Sequence, residues 1–91
     1  MLPKNRAPTP PGEILQKDFL SELGMTQVQL AAKMGVPVQR VNLLINGRRG
    51  VTAETALLLS EVLGTTPQFW MNLQTNHDLW VEQRKRLRRA G

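Results

Sequence analysis

The amino-acid sequence predicts an all-α domain, a bundle of five helices. Three observations lead there. Apolar residues recur at three- and four-residue intervals along most of the chain, no segment alternates at the two-residue period of a half-buried strand, and glycine and proline punctuation divides the pattern into five pieces. A chain of 91 residues has room for one small core and little more, and without cysteine that core must be held by packing alone.

Residues 1–10 read as a flexible, Pro-rich lead-in; the first twelve residues, MLPKNRAPTPPG, carry four of the six prolines. The domain proper is expected over residues 11–83. Pro11 suits a first-turn position, and Leu15, Phe19 and Leu23 then recur at i, i+4 and i+8, with Leu20 widening the stripe and Gly24 closing the helix. Thr26 is a plausible N-cap for a second helix whose Leu30, Ala31 and Met34 share a face, ended by Gly35. Val36 and Pro37 connect to a third helix over about 38–46, with Val41, Leu44 and Ile45 inward and Asn46-Gly47 at its end. Thr52 caps a fourth helix that places Glu54 in its first turn and buries Ala56, Leu59 and Leu63 before Gly64. Thr66-Pro67 opens a fifth, with Phe69, Leu73 and Trp80 on one side. The basic tail over residues 84–91 reads first as a solvated helix end, where cations complement the helix dipole.

Net charge of +5 and a sequence pI near 10.8 point to a polyanionic partner, nucleic acid ahead of a membrane in a chain with no long apolar run. No apolar stretch of export-signal type is present near the N-terminus, so a cytoplasmic protein is expected. The acids are unevenly placed. From Leu23 to Ala53 there is no Asp or Glu, yet Lys33, Arg40, Arg48 and Arg49 all fall in that window. A surface that approaches phosphates is depleted of carboxylates in this way, because each would repel the ligand.

The same window holds two short helices joined by a tight glycine-containing turn, the arrangement of a helix-turn-helix. Its second helix would turn Val41 and Leu44 inward and leave Val38, Gln39, Arg40, Asn42 and Leu43 outward as base-contact candidates. Gln39 suits the adenine N6/N7 edge, Arg40 suits guanine O6/N7 or a phosphate, and Val38 or Leu43 suits a thymine methyl. Thr26, Gln27, Lys33, Asn46, Arg48 and Arg49 are the phosphate-contact candidates.

These residues resemble a known family. MTQVQLAAKMGVPVQRVNLLINGRR is similar to the Xre-type (Cro/C1-like) helix-turn-helix, and PGEIL, GRRGVTAETALLLSEVLGTTPQFWMNLQ and DLW resemble the flanks of HigA (VapI-like) antitoxins, over about residues 10–81. The resemblance implies a lambda-repressor-like fold and a homodimer that represses its own operon at a palindromic double-stranded DNA operator. It also implies neutralisation of a HigB-type, mRNA-cleaving toxin. Three positions depart from the family pattern: Pro37 stands where Ser or Thr is usual, Pro10-Pro11-Gly12 replaces His-Pro-Gly, and His77-Asp78-Leu79 replaces Tyr-Asp-Leu.

Other classes fit less well. GRRG matches the GXXG loop of KH domains, but such a loop needs a sheet beside it and no strand is predicted. An enzyme is not expected: His77 is the only histidine, the carboxylates are scattered, and neither Ser21 nor Ser60 has a nucleophile–base pattern around it; no cofactor or metal is expected either. A stand-alone Xre-type regulator without a toxin, and a toxin-binding module with little DNA affinity, are the alternatives. The fifth helix is more broadly apolar than one core face needs, which makes Trp70, Met71, Leu79 and Trp80 the dimer-interface candidates.

Overall fold

The computed structural model describes residues 7–90; of the expected lead-in over 1–10, residues 1–6 lie outside the described residues, as does Gly91. Five helices, and no strand, are found among the described residues. Helix α1 spans 11–23 in three continuous pieces, α-helical Pro11–Ile14, π-helical Leu15–Leu20 and α-helical Ser21–Leu23. It is followed by α2 (Gln27–Met34), α3 (Val38–Ile45), α4 (Ala53–Leu63) and α5 (Pro67–Ala90). No helix is long and apolar enough to cross a membrane, among the residues described.

Local chemistry explains the boundaries. Thr26 accepts from the Gln29 N–H at 3.1 Å while the Gln29 side chain accepts from the Thr26 N–H at 2.9 Å, so two otherwise unpaired donors at the start of α2 are satisfied reciprocally. At the other end Gly35 takes φ +72°, and the N–H groups of Gly35 and Val36 return to the carbonyls of Ala32 and Ala31. Thr52 and Thr66 cap α4 and α5 by accepting from Thr55 N–H and Phe69 N–H.

The first helix departs from expectation. A stripe of Leu15, Phe19 and Leu23 assumes 3.6 residues per turn, but the π segment closes i→i+5 bonds, as in the Ser21 N–H to Gln16 carbonyl bond. The wider turn brings Leu15 and Leu20 into the core together, leaves Phe19 half-buried, and rotates Leu23 out to 58% exposure. The expected inner faces of α2 (Leu30, Ala31, Met34) and α3 (Val41, Leu44) are buried, as are Ala56 and Leu59 of α4, whereas Leu63 is half-buried.

On α5 the inward residue is Trp70, the largest fully buried side chain among the described residues, while Phe69 stays 38% exposed. The Trp70 Nε1–H donates to Thr65 Oγ1 at 2.6 Å, which removes the cost of burying an indole donor. Its ring meets Phe19 and Phe69 at centroid distances of 5.2 and 5.0 Å. Trp70 is therefore a core residue, which corrects its assignment to a dimer interface.

These contacts fix α3 from three sides. It packs along α2, its C-terminal end lies against the start of α1, and a side chain from its N-terminal half reaches α4. Gly12 marks the closest approach: a Cβ built there would lie 2.1 Å from the Leu44 carbonyl oxygen and 2.8 Å from that of Ile45. Only a residue without a side chain fits.

Candidate nucleic-acid interface

Pro37 stands at the N-cap of helix α3; its backbone is extended (φ −62°, ψ 146°) and its carbonyl accepts from the Arg40 N–H at 3.0 Å. No side-chain cap is made there, so the hydroxyl usual in the resembled family is replaced by a rigid turn residue. With Val41 and Leu44 buried, α3 turns Val38, Gln39, Asn42, Leu43 and Asn46 to solvent. Two of these are tied into a line of amides. Asn42 Nδ2 donates to Gln27 Oε1 at 3.2 Å and Asn46 Nδ2 donates to Asn42 Oδ1 at 3.1 Å. The start of α2 is thereby linked across the exposed face to the end of α3.

Arg40 does not share this outward orientation. Its guanidinium pairs with Glu54 and donates to Thr55 Oγ1 at 2.9 Å, and its side chain is only 18% exposed. Thr55 is itself buried and hydrogen-bonded to Thr52. The expectation of Arg40 as an outward base reader is corrected: position 40 lies on the flank of α3 that faces the first turn of α4, where a carboxylate and a hydroxyl wait.

The loop after α3 carries Arg48 and Arg49, both exposed, as is Lys33 in the last turn of α2. Gly47 takes φ +73°, and the Arg48 N–H returns to the Leu43 carbonyl at 2.9 Å. The far end of the loop is pinned twice, by burial of the Val51 side chain and by the Val51 N–H, which donates to Gln74 Oε1 at 2.7 Å. Gln74 Nε2 in turn donates to Asp78 at 2.9 Å. Arg48, Arg49, His77 and Asp78 line one open cleft of about 300 Å³ with the start of α1. Among the described residues no three His, Cys, Asp or Glu side chains gather as a metal site would need.

Residues 15–70 match the helix-turn-helix family. The chain belongs to the Xre-type helix-turn-helix family. Antitoxin HigA-1 of Vibrio cholerae is 47% identical over 76 residues, which is 82% of this chain and 70% of the relative. An uncharacterized HTH-type transcriptional regulator of Haemophilus influenzae is 41% identical over 86 residues, 93% and 80% of the two chains. Among solved structures, Pseudomonas aeruginosa antitoxin HigA with the higBA promoter superimposes with a TM-score of 0.86 at 34% identity, covering 91% of this chain and 90% of that one.

In this Xre-type domain, α2 and α3 are the two helices of the motif. Of the base-contact candidates, Val38, Gln39, Asn42 and Leu43 lie together on the open face of α3 and Arg40 does not. Of the phosphate-contact candidates, Thr26 and Gln27 stand at the start of α2 and Asn46, Arg48 and Arg49 at the end of α3 and its loop, with Lys33 exposed on α2. Of the interface candidates on α5, Met71 is half-buried against the core and Leu79 is 49% exposed. Trp80 is half-buried, with the Arg84 guanidinium 5.3 Å from its ring centroid. Sequence reasoning missed Gln74, Thr55 and the partner role of Glu54. It also missed Gln29, although Thr-x-x-Gln is a readable capping box.

Proposed function

We propose that the chain is a DNA-binding antitoxin of the HigA type, which as a homodimer represses its own operon and neutralises a HigB-type toxin. The open face of α3 carries this reading: four side chains able to read base edges, flanked by exposed cations and free of carboxylates. The Pseudomonas aeruginosa relative with its promoter supports it. Each protomer lays α3 in a major groove, and two-fold symmetry sets half-sites about 34 Å apart.

Pairing of Arg40 with Glu54 lowers the number of available cations on the motif from four to three, Lys33, Arg48 and Arg49. For a dimer these alone give a log K against log salt slope of about −5, so the measured slope should be at least that steep. Titration of the DNA upstream of the chain's own reading frame tests the repressor half; a slope near zero would remove it. Co-expression with the neighbouring reading frame, scoring growth rescue and co-purification, tests the antitoxin half. The alternative is a regulator without a toxin, and that reading prevails if operator binding is found and rescue is not.

A further inference from the structure

The motif window over residues 23–53 holds four cations and no acid, yet it does not account for the net charge of the chain. Residues 1–83 hold seven Lys and Arg against seven Asp and Glu, so the body is formally neutral; the whole net charge of +5 lies in Arg84, Lys85, Arg86, Arg88 and Arg89. They continue α5 without a break, all are exposed, and α5 at 24 residues is about 36 Å long, a large part of the 46 Å length of the molecule.

Helical periodicity decides which way the charge faces. His77 and Asp78 line the same cleft as Arg48 and Arg49. Residues seven and eleven positions further along a helix return to the same side. Arg84 and Arg88 therefore continue the side of His77, and Lys85 and Arg89 that of Asp78. Four of the five cations prolong the flank of α5 that borders the arginine loop, beginning about 10 Å beyond it at 1.5 Å per residue. Arg86, off this flank, lies 3.7 Å from Glu82.

We infer that the last turns of α5 form a second, sequence-blind phosphate-contacting arm, whose ligand is the duplex DNA backbone flanking the site that α3 reads. This rests on the DNA-binding reading above. The motif cations sit on a body whose other charges offset them; the arm adds a net positive charge that nothing offsets, and a rigid helix holds its charges in line with those of the loop.

The test uses the full chain and a full-length variant in which Arg84, Lys85, Arg88 and Arg89 are all replaced by Gln, positions outside the core, with circular dichroism to check that both fold alike. Three duplexes are titrated over a range of salt: the upstream segment cut to the protected site, the same segment with about ten further base pairs on each side, and a random sequence. The expected result is a slope shallower by about 3 to 4 per protomer on the random and the extended duplexes. The gain in affinity from added flanks should disappear, and the ratio of binding to the extended operator and to a random duplex of the same length should stay within about threefold. Equal slopes and an equal flank gain in the two proteins would overturn the arm while leaving operator recognition standing. A wild-type protein that fails to distinguish operator from random DNA, but whose random-duplex slope still depends on the four cations, would overturn operator recognition and leave the arm. A change in sedimenting mass with no change in slope would assign the tail to self-association and overturn the proposal.

Discussion

Gln74, two turns into α5, holds Val51 by its backbone N–H at 2.7 Å, a bond spanning 23 positions. It closes the loop that displays Arg48 and Arg49. The contact is close on both sides, since a Cβ at Gly50 would stand 3.2 Å from the Gln74 carboxamide and the same group donates to Asp78. The end of α3 fixes one end of this loop and Gln74 fixes the other.

Replacing Gln74 by Met keeps the length of the side chain and removes its acceptor. The part-buried Val51 N–H is then left without a partner, at a cost of about 1–3 kcal/mol, read by urea denaturation and by faster amide exchange at Val51. Operator affinity should also fall. In a background already carrying Arg48→Ala and Arg49→Ala the Gln74 change should cost no further affinity, because it acts through those two cations.

Arg40 buttresses α3 against α4. Arg40→Ala should weaken binding to every single-base operator variant by the same factor, whereas Gln39→Ala should relax preference at one base position by about 1–3 kcal/mol. Competition among operator variants separates the two. Because Glu54 is largely exposed, a double-mutant cycle between Arg40→Ala and Glu54→Ala should return a coupling of no more than about 1 kcal/mol.

The five helices are legible in the sequence because helix ends are local events: Thr26, Thr52 and Thr66 start helices with their own hydroxyls, and Gly24, Gly35 and Gly64 stop them within one turn. The open face of α3 is legible for the same reason, since two buried positions, Val41 and Leu44, fix the opposite side. What escapes is set by residues distant along the chain. Outward placement of Arg40 follows from a helical wheel of α3 alone, and nothing in that wheel reveals Glu54 and Thr55, 14 and 15 positions on. Similarly, Leu23 looks like core until the π turn of α1 changes the period, and Trp70 looks like an interface residue until Thr65 and Phe19 are placed around it.

Gly12→Ala sets two effects against each other. Helix propensity favours alanine by up to about 1 kcal/mol. The new Cβ would lie 2.1 Å from one backbone carbonyl oxygen of α3 and 2.8 Å from another, and backbone atoms cannot rotate aside. Overpacking of this kind costs about 1–3 kcal/mol or more, so sterics win. The melting temperature should fall by roughly 5–15 °C. Any relief comes from displacing the end of α3, so operator affinity at a temperature where the variant is still folded should fall as well; unchanged affinity would show that α1 yields instead.

Trp70 and Leu79 lie on the same helix and should behave oppositely. Trp70→Ala removes the largest buried side chain, with its bond to Thr65, and should cost about 3–5 kcal/mol at every protein concentration. Leu79, 49% exposed and outside the core, should leave the stability of an isolated protomer within about 0.5 kcal/mol when changed to Ala. If α5 joins two protomers, Leu79→Ala instead shifts the concentration dependence of melting and the sedimenting mass, because stability gained by association depends on protomer concentration. Urea denaturation at two concentrations a hundredfold apart distinguishes the cases. A Trp70→Ala protein that keeps its stability but dissociates would return that residue to an interface; a Leu79→Ala protein unchanged in mass would place the contact between protomers elsewhere.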